Sequence, residues 1–382
     1  MNNKKYNSWG LAFTIGATAF AAHAGGGFAT GNQANTFFVS LGWISIFSAI
    51  LAMVLLAFSL REGQIMWNTR KLNSYKELFS CLFHPYDKIA YLFDIFYDIM
   101  ILMVVASCIA GAAGALQQYI GFNYNICAVC VGIVILLLSI FGAELIRKAS
   151  TYMGTVILVL SITVYLIGII KSDGLFTHMG LSFADLGFSN LGKGILNACT
   201  YAGFQWVTLP AVLACGTILK SRKDCTKGMI CMMVFNILGL GLSVLMLFSW
   251  NDYYTAVEGG TTIPTLTVLQ NLNMGWLVFV YVVILFLCLI SSGVAVVFGF
   301  INRFENWAPL QSIKNVQARR SAIAIFIMVI SMSISFVGLT RIIKYGYSYC
   351  GYLGLIVAVI PLLTVGYYKN RKWLKEHGDN EA

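Results

Sequence analysis

Charged side chains are scarce in this 382-residue chain: Asp, Glu, Lys and Arg make up 10% of it. Soluble domains carry roughly 25%. So few charges exclude an ordinary cytosolic enzyme, which needs a polar surface, and also a disordered chain. Histidine is nearly absent, with four residues, and no second CxxC accompanies the pair Cys127 and Cys130. Inside an apolar run that pair reads as two soft packing residues rather than a metal or redox site. The ten cysteines are scattered through apolar segments, as at Cys108, Cys199, Cys215, Cys231 and Cys288, so a secreted disulfide scaffold is excluded. P-loop, HExxH, kinase and nucleophile-elbow motifs are missing, and an enzyme reading has no support.

What the chain does have is apolar length. Hydrophobic residues reach 59%, and the mean hydropathy is +0.79. Runs such as 126–145 and 276–300 are continuous, unlike the alternating strands of a membrane barrel. The chain is therefore expected to be an all-α integral membrane protein in a lipid bilayer. A membrane helix needs about 20 residues. That rule gives ten spans, near 9–38, 43–61, 89–119, 125–146, 150–170, 193–219, 228–250, 275–303, 321–340 and 346–368.

The basic residues test the count. With the N-terminus inside, all 25 Lys and Arg fall in inner segments except Lys171, Lys193, Arg341 and Lys344. The net charge of +10 is then a topology signal and not a nucleic-acid surface. Both termini are expected on the cytoplasmic side. The stretch from Met1 to Ala24 could also be read as a signal peptide, but the glycines that follow have a better explanation.

Span 1 is interrupted by Ala24, Gly25, Gly26, Gly27 and Phe28, through to Gly31. Successive glycines weaken a helix, and irregular backbone at membrane depth survives only inside protein or beside a watery cavity. Span 6 carries a comparable interruption at Tyr201, Ala202, Gly203, Phe204 and Gln205, with Pro210 beyond it. The two lie five spans apart, so the chain divides into inverted halves, 9–170 and 193–368. A cytoplasmic tail, 369–382, completes a single transmembrane domain, 1–382. Matched interruptions in two halves point to a transport site, although small residues alone can also serve helix packing. An unwound centre exposes N–H groups that attract an anion and carbonyls that hold a cation. Gly26 and Gly203 are expected in non-helical backbone, close together.

At this point the chain resembles a known group. Ten spans with breaks in spans 1 and 6 resemble the LeuT-fold transporters of the amino acid–polyamine–organocation superfamily. The run Gly25-Gly26-Gly27-Phe28-Ala29-Thr30-Gly31-Asn32-Gln33 resembles the first-span motif of the YkvI-type bacterial membrane proteins, with Gln33 where that family often has Glu. The small-residue stretch Ala110–Leu116, including Gly111, is similar to theirs. The resemblance implies a solute site at the residues just named in spans 1 and 6, with Gly111, in a bacterial cytoplasmic membrane. It also implies a Na⁺ site built from carbonyls of Ala21, Ala24 and Cys288 and the hydroxyls of Ser291 and Ser292. Ordinary small-residue packing is the alternative for that serine pair.

Ionisable residues at membrane depth are functional candidates. His23, just before the break, could carry a coupling proton or simply pack against a neighbouring helix. Asp94 and Asp98 share one helix face near the inner surface. They suit either an ion pair with Arg303, Arg147 or Lys220 or a place on the cytoplasmic pathway. Glu62 and Glu144 sit at span ends. Residues 75–79 suggest a short amphipathic helix, and 251–274 an outer lid. The expected function is a Na⁺- or H⁺-coupled secondary transporter for a small organic solute, amino-acid-like or another compact carboxylate. A ligand sensor of the same fold is the alternative. No organic cofactor is expected.

Overall fold

The computed structural model describes residues 8–23, 26–141, 143–172, 174–219 and 221–378. Every element among these is helical. Span 1 comprises α1 (Ser8–His23), α2 (Gly26–Ala29) and α3 (Asn32–Phe37), and span 2 is α4 (Ser45–Thr69). A short helix, α5 (Tyr75–Phe83), leads to α6 (Tyr91–Ile120), α7 (Tyr124–Phe141), α8 (Ala143–Ile170) and α9 (Leu175–Leu186). Span 6 is α10 (Leu191–Phe204) and α11 (Leu209–Gly216). Then come α12 (Arg222–Ser249), α13 (Asn251–Ala256), α14 (Pro264–Asn271), α15 (Gly275–Phe304) and α16 (Val316–Ser335). The last span runs through α17 (Leu339–Arg341) and α18 (Ser348–Gly354) to α19 (Tyr367–His377).

The segment count differs from ten. Among the described residues, eight helices are long and apolar enough to cross a membrane, or nine if α8 and α9 form one bent span. The first expected span is not among the eight, because α1 has only 16 residues before the interruption. The chain is a multi-pass membrane protein.

Local sequence sets the ends. Ser74 caps α5 by accepting the Glu77 N–H at 3.2 Å, and the Glu77 carboxylate accepts the Asn73 N–H, a reciprocal cap. Gly121, at φ +82°, stops α6 in the left-handed conformation that glycine adopts without strain. The buried face of α5, through Leu78, Phe79 and Leu82, fits the amphipathic helix expected there. The expected outer lid contains α14, whose residues Pro264 to Leu269 are all buried.

The spans pack in two groups. Spans 1, 2, 6 and 7 meet through α12 against α1 and α4, α10 against α4, and α11 against α1. Spans 3, 4, 8 and 9 meet through α15 against α6, α7 and α16, with α8 between the groups. Small residues allow the tightest crossing. A Cβ added at Gly203 would collide with the Gly351 carbonyl, and one at Gly354 with the Gly203 carbonyl. Membrane helices associate by such close backbone approach, since burial from lipid supplies no hydrophobic drive.

Candidate functional site

The centre of the molecule is built on the interrupted first span. Gly31 sits at φ +78°, between α2 and α3. Thr30 holds the turn: its hydroxyl donates to the Gly27 carbonyl at 2.9 Å and accepts the Asn32 N–H at 3.2 Å. The Tyr281 hydroxyl of α15 donates to the Ala29 carbonyl at 2.5 Å, so span 8 satisfies one acceptor that the helix break frees. Ala24 and Gly25, two of the expected site residues, lie outside the described residues.

Beyond the turn, Gln33 folds back so that a Cβ on Gly27 would meet its amide nitrogen at 2.6 Å. The Gln33 Oε1 accepts from the Tyr201 hydroxyl at 3.0 Å, and the Gln205 amide donates to that hydroxyl at 3.4 Å. This Gln33–Tyr201–Gln205 chain links spans 1 and 6, and all three residues are buried. Around it stand Phe37, Phe38, Phe204 and Tyr347, with Phe204 centred 5.1 Å from Tyr347 and 5.3 Å from Phe37. Tyr347 is anchored by Ser107 of α6, oxygen to oxygen at 2.8 Å. Gly111 on the same helix faces Leu289 and the Thr30 methyl. The arrangement offers neutral amide and phenol groups in an aromatic enclosure, with no charged side chain in the hydrogen-bonded chain.

Two expectations need correction. Gly203 is not in non-helical backbone; it lies inside α10, and the helix departs from α geometry only at the 3-10 turn Gln205–Thr208. Gly26 likewise opens the short helix α2. Glycine at 203 is required by the crossing with Gly351 and Gly354, which in sequence looks the same as a break. The Phe28 ring points away from the Tyr201 cluster. It meets Phe20 at 5.9 Å and lies over Gly239 of span 7. Ala202 is buried in α10.

On span 8, the Ser291 hydroxyl donates to the Cys288 carbonyl at 3.0 Å, and both residues are buried. With its proton so placed, the oxygen of Ser291 keeps lone pairs for another partner. Ser292 is half-buried beside the Cys288 thiol, and Ala21 is half-buried on α1. His23 is buried with its Nδ1 3.5 Å from the Asn236 amide of span 7, and its Nε2 has no partner.

Both ends of the centre are fastened. Near one end the Asn32 amide donates to the carbonyls of Thr261 and Thr262, at 3.0 and 2.9 Å, and to the Thr340 hydroxyl at 2.9 Å. At the other end Arg303 bridges Asp94 at 2.8 Å and Asp98 at 3.3 Å. Its guanidinium stacks on Tyr75 and Tyr97, and Tyr75 also donates to Asp94. Burial pushes the Tyr75 phenol well above its ordinary range, so it remains a donor at neutral pH. Of the partners expected for these carboxylates, Arg303 is in place, and the Arg147 side chain and Lys220 lie outside the described residues.

The sequence assigns no site role to Asn32, Gln33 or Tyr347. Asn32 and Gln33 are legible there as amides following the glycines. Tyr347 carried no periodic signal, because it closes a π-helical turn, Ile342–Tyr347.

No family model and no curated protein matches the chain. Solved structures do. A Na⁺-coupled sialic acid symporter in a substrate-bound, outward-open state superposes with a TM-score of 0.61 at 13% identity, covering 94% of this chain and 90% of that one. MhsT in complex with L-phenylalanine gives 0.60 at 13% identity, over 91% and 87%. A manganese transporter from Eremococcus coleocola gives 0.58 at 15% identity, over 99% and 85%. The fold is that of the LeuT-type transporters. Within it the two packing groups fall on spans 1, 2, 6, 7 and 3, 4, 8, 9, and the Tyr201 cluster lies where they meet.

Proposed function

We propose that this chain is a cation-coupled secondary transporter for a small, amino-acid-like solute, of the YkvI type. The observation that carries the reading is the Gln33–Tyr201–Gln205 chain, buried among aromatic rings beside the interrupted first span. A solute with a carboxylate would be met by backbone N–H groups at residues 24–28 and by the Gln33 and Gln205 amides. Its side chain would be met by Phe37, Phe204 and Tyr347. Na⁺ is the proposed coupling ion, at Ala21, Ala24, Cys288, Ser291 and Ser292. His23, turned toward span 7, is assigned to packing. The repeats are 9–170 and 193–368, with both termini on the cytoplasmic side of a bacterial membrane. Transport would follow from one packing group rocking on the other.

The test is uptake into proteoliposomes of an amino-acid and small-carboxylate panel, after a thermal-shift screen with and without Na⁺. Uptake of a hit that requires a Na⁺ gradient and is lost in Tyr201→Phe is the expected result. Binding without flux would overturn transport and leave a sensor. A Na⁺-independent wild type would overturn sodium coupling.

A further inference from the structure

Away from the centre, where the ends of α4 and α5 meet α19, the chain forms an open groove of about 460 Å³. Three cations line it: Arg70, just beyond α4, and Lys369 and Lys372 of α19. Arg70 is half-buried beside the Cys81 thiol. It donates to the Asn370 amide oxygen at 2.9 Å, the Lys369 carbonyl at 3.2 Å and the Thr69 hydroxyl at 2.9 Å. The Lys369 ammonium donates to the carbonyls of Cys81, Leu82 and His84, at 2.9, 3.0 and 2.9 Å. Those are acceptors that the end of α5 leaves open. Every one of these partners is neutral.

The positive charge of the groove is therefore not cancelled. Among the described residues, none of the three cations forms an ion pair. Glu62, which accepts the Asn370 amide behind the groove, is bound to Arg61. Of the two carboxylates that line the groove, Asp87 faces His84 at 3.4 Å, and Glu376 is exposed near the far end of α19. A cation drawn partly out of water without a counter-ion is costly, and an anion is what would offset that cost. The donors fit one. Lys369 has placed its three N–H groups and acts through charge alone, whereas Arg70 has five donors and Lys372 closes no hydrogen bond with a described residue. A guanidinium and an ammonium together suit phosphate oxygens.

The position of the groove names the source of the phosphate. It lies at the ends of two membrane-crossing helices, those of 39–69 and 339–377. Trp373 lines it, with the Arg70 guanidinium 5.9 Å from its ring centre. Tyr86 and Tyr368, each next in sequence to a lining residue, are 71% and 69% exposed. Trp and Tyr gather at the headgroup level of a bilayer, where basic pockets between helices hold lipid phosphates.

We propose that Arg70, Lys369 and Lys372 form a site for the phosphate group of an anionic phospholipid, which fastens the end of α5 to α19. The site is independent of what the centre of the molecule transports.

The experiment is a melting titration of the purified full chain in neutral detergent. The additions are dihexanoylphosphatidylglycerol, dihexanoylphosphatidylcholine or inorganic phosphate. The variants are Arg70→Gln, Lys372→Gln and, on the same helix but off the groove, Lys375→Gln. The anionic lipid is expected to raise the melting temperature of wild type more than the other two additions do. Its half-saturating concentration should rise about fivefold in Arg70→Gln and in Lys372→Gln, the equivalent of about 1 kcal/mol per basic residue at a charged lipid surface. It should stay as in wild type in Lys375→Gln. Lys372 is exposed, so its variant should melt as wild type does without lipid and carries the test if Arg70→Gln folds poorly. Equal rises with the two lipids would overturn the proposal. An equal loss in Lys375→Gln would do the same and assign the effect to diffuse surface charge. Inorganic phosphate matching the anionic lipid, with the two groove variants weakened alike, would overturn the lipid as the source and leave a site for free phosphate.

Discussion

The Tyr201 hydroxyl donates to Gln33 Oε1 at 3.0 Å and so joins span 6 to the part of span 1 that follows its break. Both groups are buried, and Gln205 donates to the same phenol oxygen. Tyr201→Phe leaves the Gln33 carbonyl without its partner and the Gln205 amide without its acceptor. An unsatisfied buried group costs about 1–3 kcal/mol. The variant is expected to melt lower than wild type and to lose affinity for any solute that stabilises wild type. A phenylalanine variant binding that solute unchanged would remove the chain from the site.

Gly203 tests the crossing with the last span. A Cβ there would strike the Gly351 carbonyl and approach the Leu355 nitrogen to 2.8 Å, and both obstacles are backbone. Gly203→Ala is expected to destabilise by about 1–3 kcal/mol, as overpacking does. Gly180 on α9 has nothing within 4 Å of the same position. Gly180→Ala should be neutral or stabilising by about 0.5–1 kcal/mol, because alanine is the better helix former. Thermal melts of the two variants in one detergent decide this. Equal effects would mean that glycine at 203 serves flexibility and not contact.

These residues also show how far the sequence could be read. Apolar length is enough for the class, an all-helical multi-pass membrane protein. The glycines at 25–27 mark the first interruption because only a functional or packing need keeps them in a membrane helix. Gly203 misleads, since a break and a close crossing ask for the same missing Cβ. Phe28 misleads for a related reason: chain position puts it at the break, but helix rotation turns its ring to Gly239. Tyr347 reaches its place through a π-helical turn, which leaves no periodic trace.

Arg303 is the cation between Asp94 and Asp98, and its side chain is 15% exposed against 17% for Asp94. Exposed pairs contribute about 0.2–1 kcal/mol, and breaking a buried one costs about 3–5 kcal/mol. Arg303→Gln is expected between those limits, because it leaves two like charges four residues apart on α6. Adding Asp94→Asn and Asp98→Asn should restore much of the lost stability. Melting the single, double and triple variants measures the coupling. Additive losses would show that the three side chains act independently.

His23 gives the sharpest choice between two roles. Its ring lies 3.5 Å from the Asn236 amide, on the face of α1 that packs against span 7. Packing there predicts that His23→Gln lowers the melting temperature, by about the 0.5–1.5 kcal/mol of a typical net hydrogen bond. It also predicts that the pH profile of uptake stays as in wild type. A coupling role requires the reverse pattern, with the pH dependence abolished and solute binding retained. Its buried Nε2, which has no partner, is where a carried proton would have to sit. Measuring binding, uptake at several pH values and melting on the same purified variant separates the roles. A flattened profile with normal binding would return His23 to the transport mechanism and remove Na⁺ as the sole coupling ion.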